Sequence, residues 1–331
     1  MARTLMIGLT ESGQESKINE DAFLCDGRIY PDMLRGKEEQ SLSSGKYHQM
    51  YMVAEGFGGP GAGDLASRMV LRIANQLLDQ IEEYKNPELD FKRFTRDLLA
   101  QAHSSIKEMV SSKFSHPVGC SFALVLIDAN TSYTLNVGCT TINLYRNGKI
   151  YRLTDRAECE IPDEYLGNIT VDSLPVPDAM NKSDLQPGDV YVLSTSGFNK
   201  NYRSKDLRND LAKQDAFAAT VRQAHIHSGA GDLGPNRTIV AVKTVDLQLE
   251  LPQGPSPVEA ERRRVFNGES IDYEKEAEDE MNNYDRYSSV TNGEITQRAS
   301  GREKAGVFFK SLLLGFVIGL AVLLIIWFFI L

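Results

Sequence analysis

The residues able to do chemistry fall in a few short stretches. Asp21 follows Asn19 and Glu20, and Glu55 opens the run Gly56, Phe57, Gly58, Gly59, Pro60, Gly61. Further along, Asp189 precedes an apolar run that ends on Thr195, Ser196 and Gly197. Carboxylates beside glycine turns are the oxygen-rich donors that hard divalent cations require. The glycine run also fits G-x-G-x-x-G, but the acid about 20 residues on, Glu82, falls inside a helical pattern, and two strand patterns already precede the loop. A dinucleotide fingerprint is excluded. With no Gly-Lys-Ser/Thr after it, the run is not a nucleotide phosphate loop either. The five histidines (His48, His103, His116, His225, His227) have no ligand spacing on a common face. Cys25, Cys120, Cys139 and Cys159 lie far apart with no C-x-x-C, so neither a zinc site nor a disulfide framework is expected, and the thiols read as reduced.

Positioning these groups requires strands on both sides of a helical stretch. Short apolar runs bounded by turn residues predict strands at residues 4–9, 22–25 and 49–54. Residues 62–84 carry Leu65, Met69, Ile73, Leu77 and Ile81 at i+4 steps, and residues 91–114 repeat the pattern with Phe94, Leu98, Ala102 and Met109, which predicts two amphipathic helices. Strands resume at 121–128, 132–137, 142–146 and 150–153, with Asn147-Gly148 as the hairpin turn of the last pair. Residues 154–188 read as irregular and proline-punctuated, with Asp189 in a β-turn. A strand at 190–195, helix over most of 205–227 and a strand at 238–245 complete the pattern. Strand groups separated by a helix pair point to two packed sheets with helices outside.

Beyond residue 245 the composition changes. Residues 246–306 hold 14 acidic and 8 basic side chains and few aliphatic ones, which predicts a disordered acidic linker. As a flexible chain its 61 residues have an end-to-end distance of roughly 45 Å. Residues 311–331 are 21 uncharged residues without proline, enough for about 30 Å of helix, the thickness of a bilayer core. The expected organisation is a globular domain at 1–245, a linker at 246–306 and a transmembrane helix at 307–331. Arg298, Arg302, Lys304 and Lys310 all precede the span, so the N-terminal domain is expected in the cytoplasm of a single-pass protein. The net charge of −9 and the lack of a basic patch exclude a nucleic-acid partner.

Five segments in order, GQESKINEDA (13–22), VAEGFGGPGAGDLA (53–66), VGCTTINLYRNGKIYRL (137–153), GDVYVLSTSG (188–197) and NRTIVAV (236–242), resemble the metal-dependent serine/threonine protein phosphatases of type 2C (PPM-type) across nearly all of residues 1–245. The resemblance implies an α+β fold, a four-layer α/β/β/α sandwich, with two Mn²⁺ or Mg²⁺ ions sharing a water that attacks phosphate. It also implies a degenerate site. Asp21 matches a metal acid, Glu20 its neighbour, and Gly56 a metal-site glycine. Where the family has Asp-Gly-His-Gly-Gly, this chain has Glu55 in place of the bridging aspartate and Phe57 in place of the histidine. The aspartate of Ser-Asp-Gly becomes Ser196, that of Asp-Asn becomes Pro235, that of Gly-Asp-Ser-Arg becomes Cys139, and the phosphate-gripping arginine becomes Ser16. Possible substitutes, Asp232 and Lys17, read more simply as a turn residue and a solvated charge.

The expected function is therefore a membrane-tethered pseudophosphatase with no catalytic residues, a regulatory module that binds a cytoplasmic protein or phosphoprotein in phospho-signalling. Residual metal positions are Asp21, Glu55 and Gly56, with Glu20 behind them. One rival is a weakly active or rearranged Mn²⁺- or Mg²⁺-dependent phosphatase; another is a membrane scaffold without phospho-recognition. Residues 156–187, where the family often carries a substrate-facing flap, are the expected partner contact.

Overall fold

The computed structural model describes residues 1–14, 18–59, 61–111, 117–154, 165–170, 173–213, 216–229 and 234–247. Met1–Leu251 forms one compact unit; a second, Pro252–Leu331, lies wholly outside the described residues. So do the expected membrane span and all of the expected linker beyond residue 247. Among the described residues no helix is long and apolar enough to cross a membrane.

Two six-stranded antiparallel sheets form the centre. The first runs β4 (Lys37–Ser44), β1 (Ala2–Glu11), β12 (Arg237–Leu247), β11 (Val190–Ser194), β8 (Thr141–Arg146), β9 (Lys149–Arg152). The second runs β10 (Ala179–Asp184), β7 (Thr131–Val137), β6 (Gly119–Asp128), β5 (His48–Phe57), β2 (Asp21–Cys25), β3 (Arg28–Tyr30). Helices α1 (Gly63–Asp79) and α2 (Phe91–Ser111) cover the second sheet, while α3 (Ser196–Asn199), α4 (Ser204–Ala212) and α5 (Phe217–Ser228) cover the first.

Three apolar layers result, and strand alternation sorts residues among them. In β2 and β5, Ala22, Leu24, Met52 and Ala54 face the helices, whereas Phe23, Tyr51 and Val53 face the other sheet. From the other side Val240, Val242, Tyr191 and Leu193 meet them, and Ile239, Ala241, Val190 and Val192 turn to α4 and α5. The four-layer expectation agrees with this arrangement.

Several local expectations need correction. The stretch 62–84 is not one helix: α1 stops at Asp79 and a short 3₁₀ turn, Ile81–Tyr84, follows. Leu65 is 45 % exposed, because Ala66, Val70, Ile73, Ala74 and Leu77 form the buried face. The second helix ends at Ser111, and residues 112–116 lie outside the described set. The helical expectation at 205–227 resolves into α4 and α5, with α3 ahead of them. β3 and β4 are absent from the expected strands, and β10 occupies part of the supposedly irregular 154–188. All three are edge strands, polar on their exposed side, and so lack the apolar run that marks a central strand. β12 reaches Leu247, two residues past the expected boundary at 245. Asn147 and Gly148 both have positive φ (52° and 75°), the two-residue hairpin geometry expected of them.

Candidate functional site

Asp21 and Glu55 face each other across the β2–β5 ladder. Counting by twos from Phe23 and Val53 puts both carboxylates on the inner face, toward the other sheet. The same count along β12, β11 and β1 brings Thr238, Thr195 and Thr10 to that face. One end of the apolar inter-sheet layer is therefore closed by polar side chains from both sheets.

Their hydrogen bonds run in one direction. Thr195 Oγ1 and Thr238 Oγ1 both donate to Asp21 Oδ2, at 2.8 and 2.9 Å. With its proton so committed, Thr238 Oγ1 accepts from Thr10 Oγ1 at 2.7 Å, which in turn accepts from Asn19 Nδ2 at 2.7 Å. The backbone N–H of Thr238 donates to Thr195 Oγ1, and that of Asp21 to Asn19 Oδ1. Asp21, Asn19, Thr10, Thr195 and Thr238 are all buried. Glu55 is met separately: Ser196 donates its backbone N–H to Oε2 at 3.0 Å and its hydroxyl to Oε1. Both hydroxyl caps lie where the resemblance has Ser-Asp.

The electrostatics follow from burial without a cation. Burial raises the Asp21 carboxyl well above the usual range and the nearby Glu55 charge pushes the same way, against the two threonine hydroxyls. Glu55 is also raised by burial, with the Ser196 hydroxyl and N–H opposing. Glu20 is pushed up to about 7 by burial and by Asp64, with the Gly59 N–H pulling back. It lies against the start of α1, where a Cβ on Gly63 would stand 2.9 Å from its Oε2.

The other positions named from sequence are filled by packing. Pro235 lies against Gly197, whose added Cβ would come within 3.1 Å of the proline Cγ and 2.0 Å of Asn236 O. Asn236 Oδ1 accepts from Gly13 N at 2.9 Å. Gly56 is held as closely, since a Cβ there would meet Gly63 O at 2.0 Å, so this glycine is required by chain packing whatever it binds. Phe57 packs edge-on against Tyr165, ring centroids 4.9 Å apart. Cys139 is buried, accepts a place beside Ser121 through its N–H donated to Ser121 Oγ at 3.1 Å, and is disulfide-bonded, so the expectation of four reduced thiols fails there; Cys25 and Cys120 are free and buried. Ser16, Lys17 and Asp232 lie outside the described residues. Of the residues expected at 156–187, Asp178 accepts Gly138 N, beside the Cys139 turn.

This donor set does not fit a pair of divalent ions. Asp21 Oδ2 already accepts two hydroxyls, both Glu55 oxygens accept from Ser196, and among the described residues no group of three or more His, Cys, Asp or Glu side chains is placed to hold a metal. Sequence reasoning singled out Asp21, Glu55 and Ser196, but gave no role to Thr10, Asn19, Thr195 or Thr238. Threonines at alternate strand positions look like ordinary strand residues until the partner sheet is known. Asp189 also needs correction: beyond closing a turn onto Gln186 N, it forms a buried two-point ion pair with Arg146, Nε–Oδ1 2.7 Å and Nη2–Oδ2 2.6 Å.

No family profile matches the chain, and no curated protein matches it. Solved structures do share the fold. A serine/threonine phosphatase of S. agalactiae is 18 % identical, with 73 % of this chain and all of that one aligned at a TM-score of 0.59. PppA, described as a key regulatory component of the T6SS in Pseudomonas aeruginosa, is 19 % identical over 72 % of this chain and 97 % of its own, TM-score 0.55. The catalytic domain of the serine/threonine protein phosphatase PstP, in complex with two manganese ions, is 16 % identical over 74 % of this chain and all of its own, TM-score 0.55. At these identities the likeness is one of fold: the chain has the architecture of the type 2C serine/threonine phosphatases.

Proposed function

We propose that this chain is a pseudophosphatase, a type 2C phosphatase-like domain that engages a protein partner without hydrolysing phosphate and is held at a membrane by residues 311–331. One observation carries the reading: the carboxylates left at Asp21 and Glu55 are capped by Thr195, Thr238 and Ser196 hydroxyls, where catalysis would need cations. Glu20, Asp21 and Glu55 are all acids, and no Arg or Lys among the described residues stands with them to grip a phosphate. The partner, a cytoplasmic protein, therefore docks through its own surface and not through a phosphate held at this end. The tether restricts that encounter to a shell of about 45 Å around the anchor.

A second reading, a phosphatase with a rearranged site, is favoured by the Asp21–Glu55 cross-strand pair and by fold neighbours such as PstP with its two manganese ions. The full-length protein in detergent, titrated with Mn²⁺ by calorimetry and assayed on an aryl phosphate, separates the two. The pseudophosphatase reading expects no heat from Mn²⁺ at micromolar concentration and no turnover above the Asp21→Ala variant. Turnover that disappears with Asp21→Ala would sink it. Flotation with vesicles, with and without residues 311–331, checks the anchor: loss of flotation on truncation is expected, and flotation of the truncated chain would remove the membrane from the proposal.

A further inference from the structure

The end of the sandwich remote from Asp21 and Glu55 holds a concavity that the proposed function leaves unused. β2 stops pairing with β5 at Cys25↔Tyr51, so His48–Met50 at the start of β5 run on past the Asp26-Gly27 turn with no ladder partner on that side among the described residues. A cavity of about 350 Å³ fills the gap, walled by that turn, the connection from β4 to β5 and the last turns of α1. This is room for a small molecule. The lining is mixed, with Leu42, Met50 and Leu78 supplying apolar surface. Most of its polar groups are already committed. Gln49 donates to the Ala2 and Lys46 carbonyls and accepts from Thr4 and Tyr51; both ring nitrogens of His48 face carboxylates, Glu82 and Asp128; and Asp26 is paired with Lys46. Asn75, half-buried, and Asp79, exposed at the rim, are what remain.

These two lie one helical turn apart and so share a face of α1. That face looks across the cavity, since a Cβ on Gly27 would stand 3.6 Å from Asn75 Oδ1. Neither side chain has a hydrogen-bond or ion-pair partner among the described residues. α1 also ends here with no basic residue in its last turn, so the negative end of its dipole adds to the Asp79 charge. An anion is repelled by such a wall. Nor is a metal ion the occupant, because among the described residues no group of three His, Cys, Asp or Glu side chains is placed to hold one. The opposite wall shows what the place accepts: Lys46 brings an ammonium on an aliphatic stem to Asp26. Asp79 lacks the equivalent. We propose that this cavity binds a small aliphatic amine or guanidine, its cation between Asp79 and Asn75 Oδ1 and its stem along Leu78 and Met50. The oxygens accept from the cation while the stem leaves water. The site is independent of whether the Asp21 end holds metal.

The test uses the full-length chain in nanodiscs of zwitterionic lipid, with agmatine, a butyl chain bearing an ammonium at one end and a guanidinium at the other, as the probe. Calorimetry should give one site with a Kd below about 1 mM. Bound agmatine should slow amide exchange in the last turn of α1, residues 77–80. Asp79→Asn should weaken binding about fivefold or more, whereas Asp184→Asn, which removes another exposed carboxylate on β10, should leave it unchanged. Lys46→Ala frees Asp26 for the ligand and should tighten binding about threefold; Lys149→Ala, which changes the net charge equally, should not. Butanol keeps the stem without the cation and should not bind. The absence of heat at about 10 mM agmatine overturns the proposal. So does equal weakening by Asp79→Asn and Asp184→Asn, which would mark attraction to the acidic surface at large. An affinity untouched by Lys46→Ala, or exchange slowed elsewhere but not at 77–80, would put the ligand outside the cavity and ends the proposal too. None of these readouts depends on phosphatase activity.

Discussion

Strand β5 has acidic pairs at both ends, and the protein treats them in opposite ways. At its start, His48 lies between Glu82 (Nε2–Oε1 2.9 Å) and its cross-strand partner Asp128 (Nδ1–Oδ1 3.2 Å), and Lys85 reaches Asp128 at 2.9 Å. There the cations win over burial: burial would raise the Asp128 carboxyl, but His48 and Lys85 hold it below the usual value. At its end, Glu55 faces Asp21, the partners of the two among the described residues are hydroxyls and N–H groups, and both carboxyls are raised. The difference teaches what the second end lacks. The carboxylate at the first end is given a charge partner; those at the second are left with dipoles, which stabilise them less.

Four measurements test this contrast. Asp128→Asn should cost the most, about 3 kcal/mol in urea denaturation, because Lys85 and His48 are left facing Glu82 alone. A loss under about 1 kcal/mol would mean that this end is no firmer than the other.

Acid should act on a second histidine, whose nearest anion is shared with an arginine. His225 is fully buried on α5 and burial lowers its pKa to about 4; Glu11 stands 3.8 Å away and favours the charged form too weakly to reverse this. The unfolded chain, with a histidine pKa near 6.5, takes up the proton first. Stability is thus complete above about pH 6.5 and falls by up to about 3 kcal/mol as pH drops toward 4. His225→Gln should flatten that limb of the stability–pH curve; an unchanged slope would assign the acid sensitivity to other groups.

Ser196→Asp places a further acid beside Glu55. It removes the hydroxyl donor to Glu55 Oε1, keeps the backbone N–H on Oε2, and sets a like charge against Glu55, and should cost about 2 kcal/mol in the presence of a chelator. If Mn²⁺ returns that stability, the end of the sandwich has kept a metal-ready geometry; if not, Pro235 has closed it. The smallest effect is expected at Asp21→Asn. An amide can still accept the two threonine hydroxyls and no longer opposes Glu55, so the unfolding free energy in urea should stay within about 1 kcal/mol of wild type or rise. A large loss here would show that the carboxylate is an anchor after all.

Much of this was legible in the chain. The central strands and the two long helices announce themselves by alternation and by i+4 spacing, because buried faces must be apolar. The resemblance that sets Ser196 and Pro235 where the type 2C family has acids needed only the order of five short segments. Edge strands such as β4 and β10 were not legible, since an edge can be polar on its open side and still pair. The role of Asp189 was half legible: its turn is local, but its partner Arg146 lies 43 positions away.

The sequence by itself determined which residue types stand at each strand position, and so where carboxylates stand and where hydroxyls do. It determined the sandwich too, through the alternation of its strands. What only the tertiary structure decided is what the surviving acids touch. Thr10, Thr195 and Thr238 come from three strands of one sheet, and Asp21 from the other. Their meeting depends on the register of each ladder and on how the two faces pack, and neither quantity is written in any local stretch of chain.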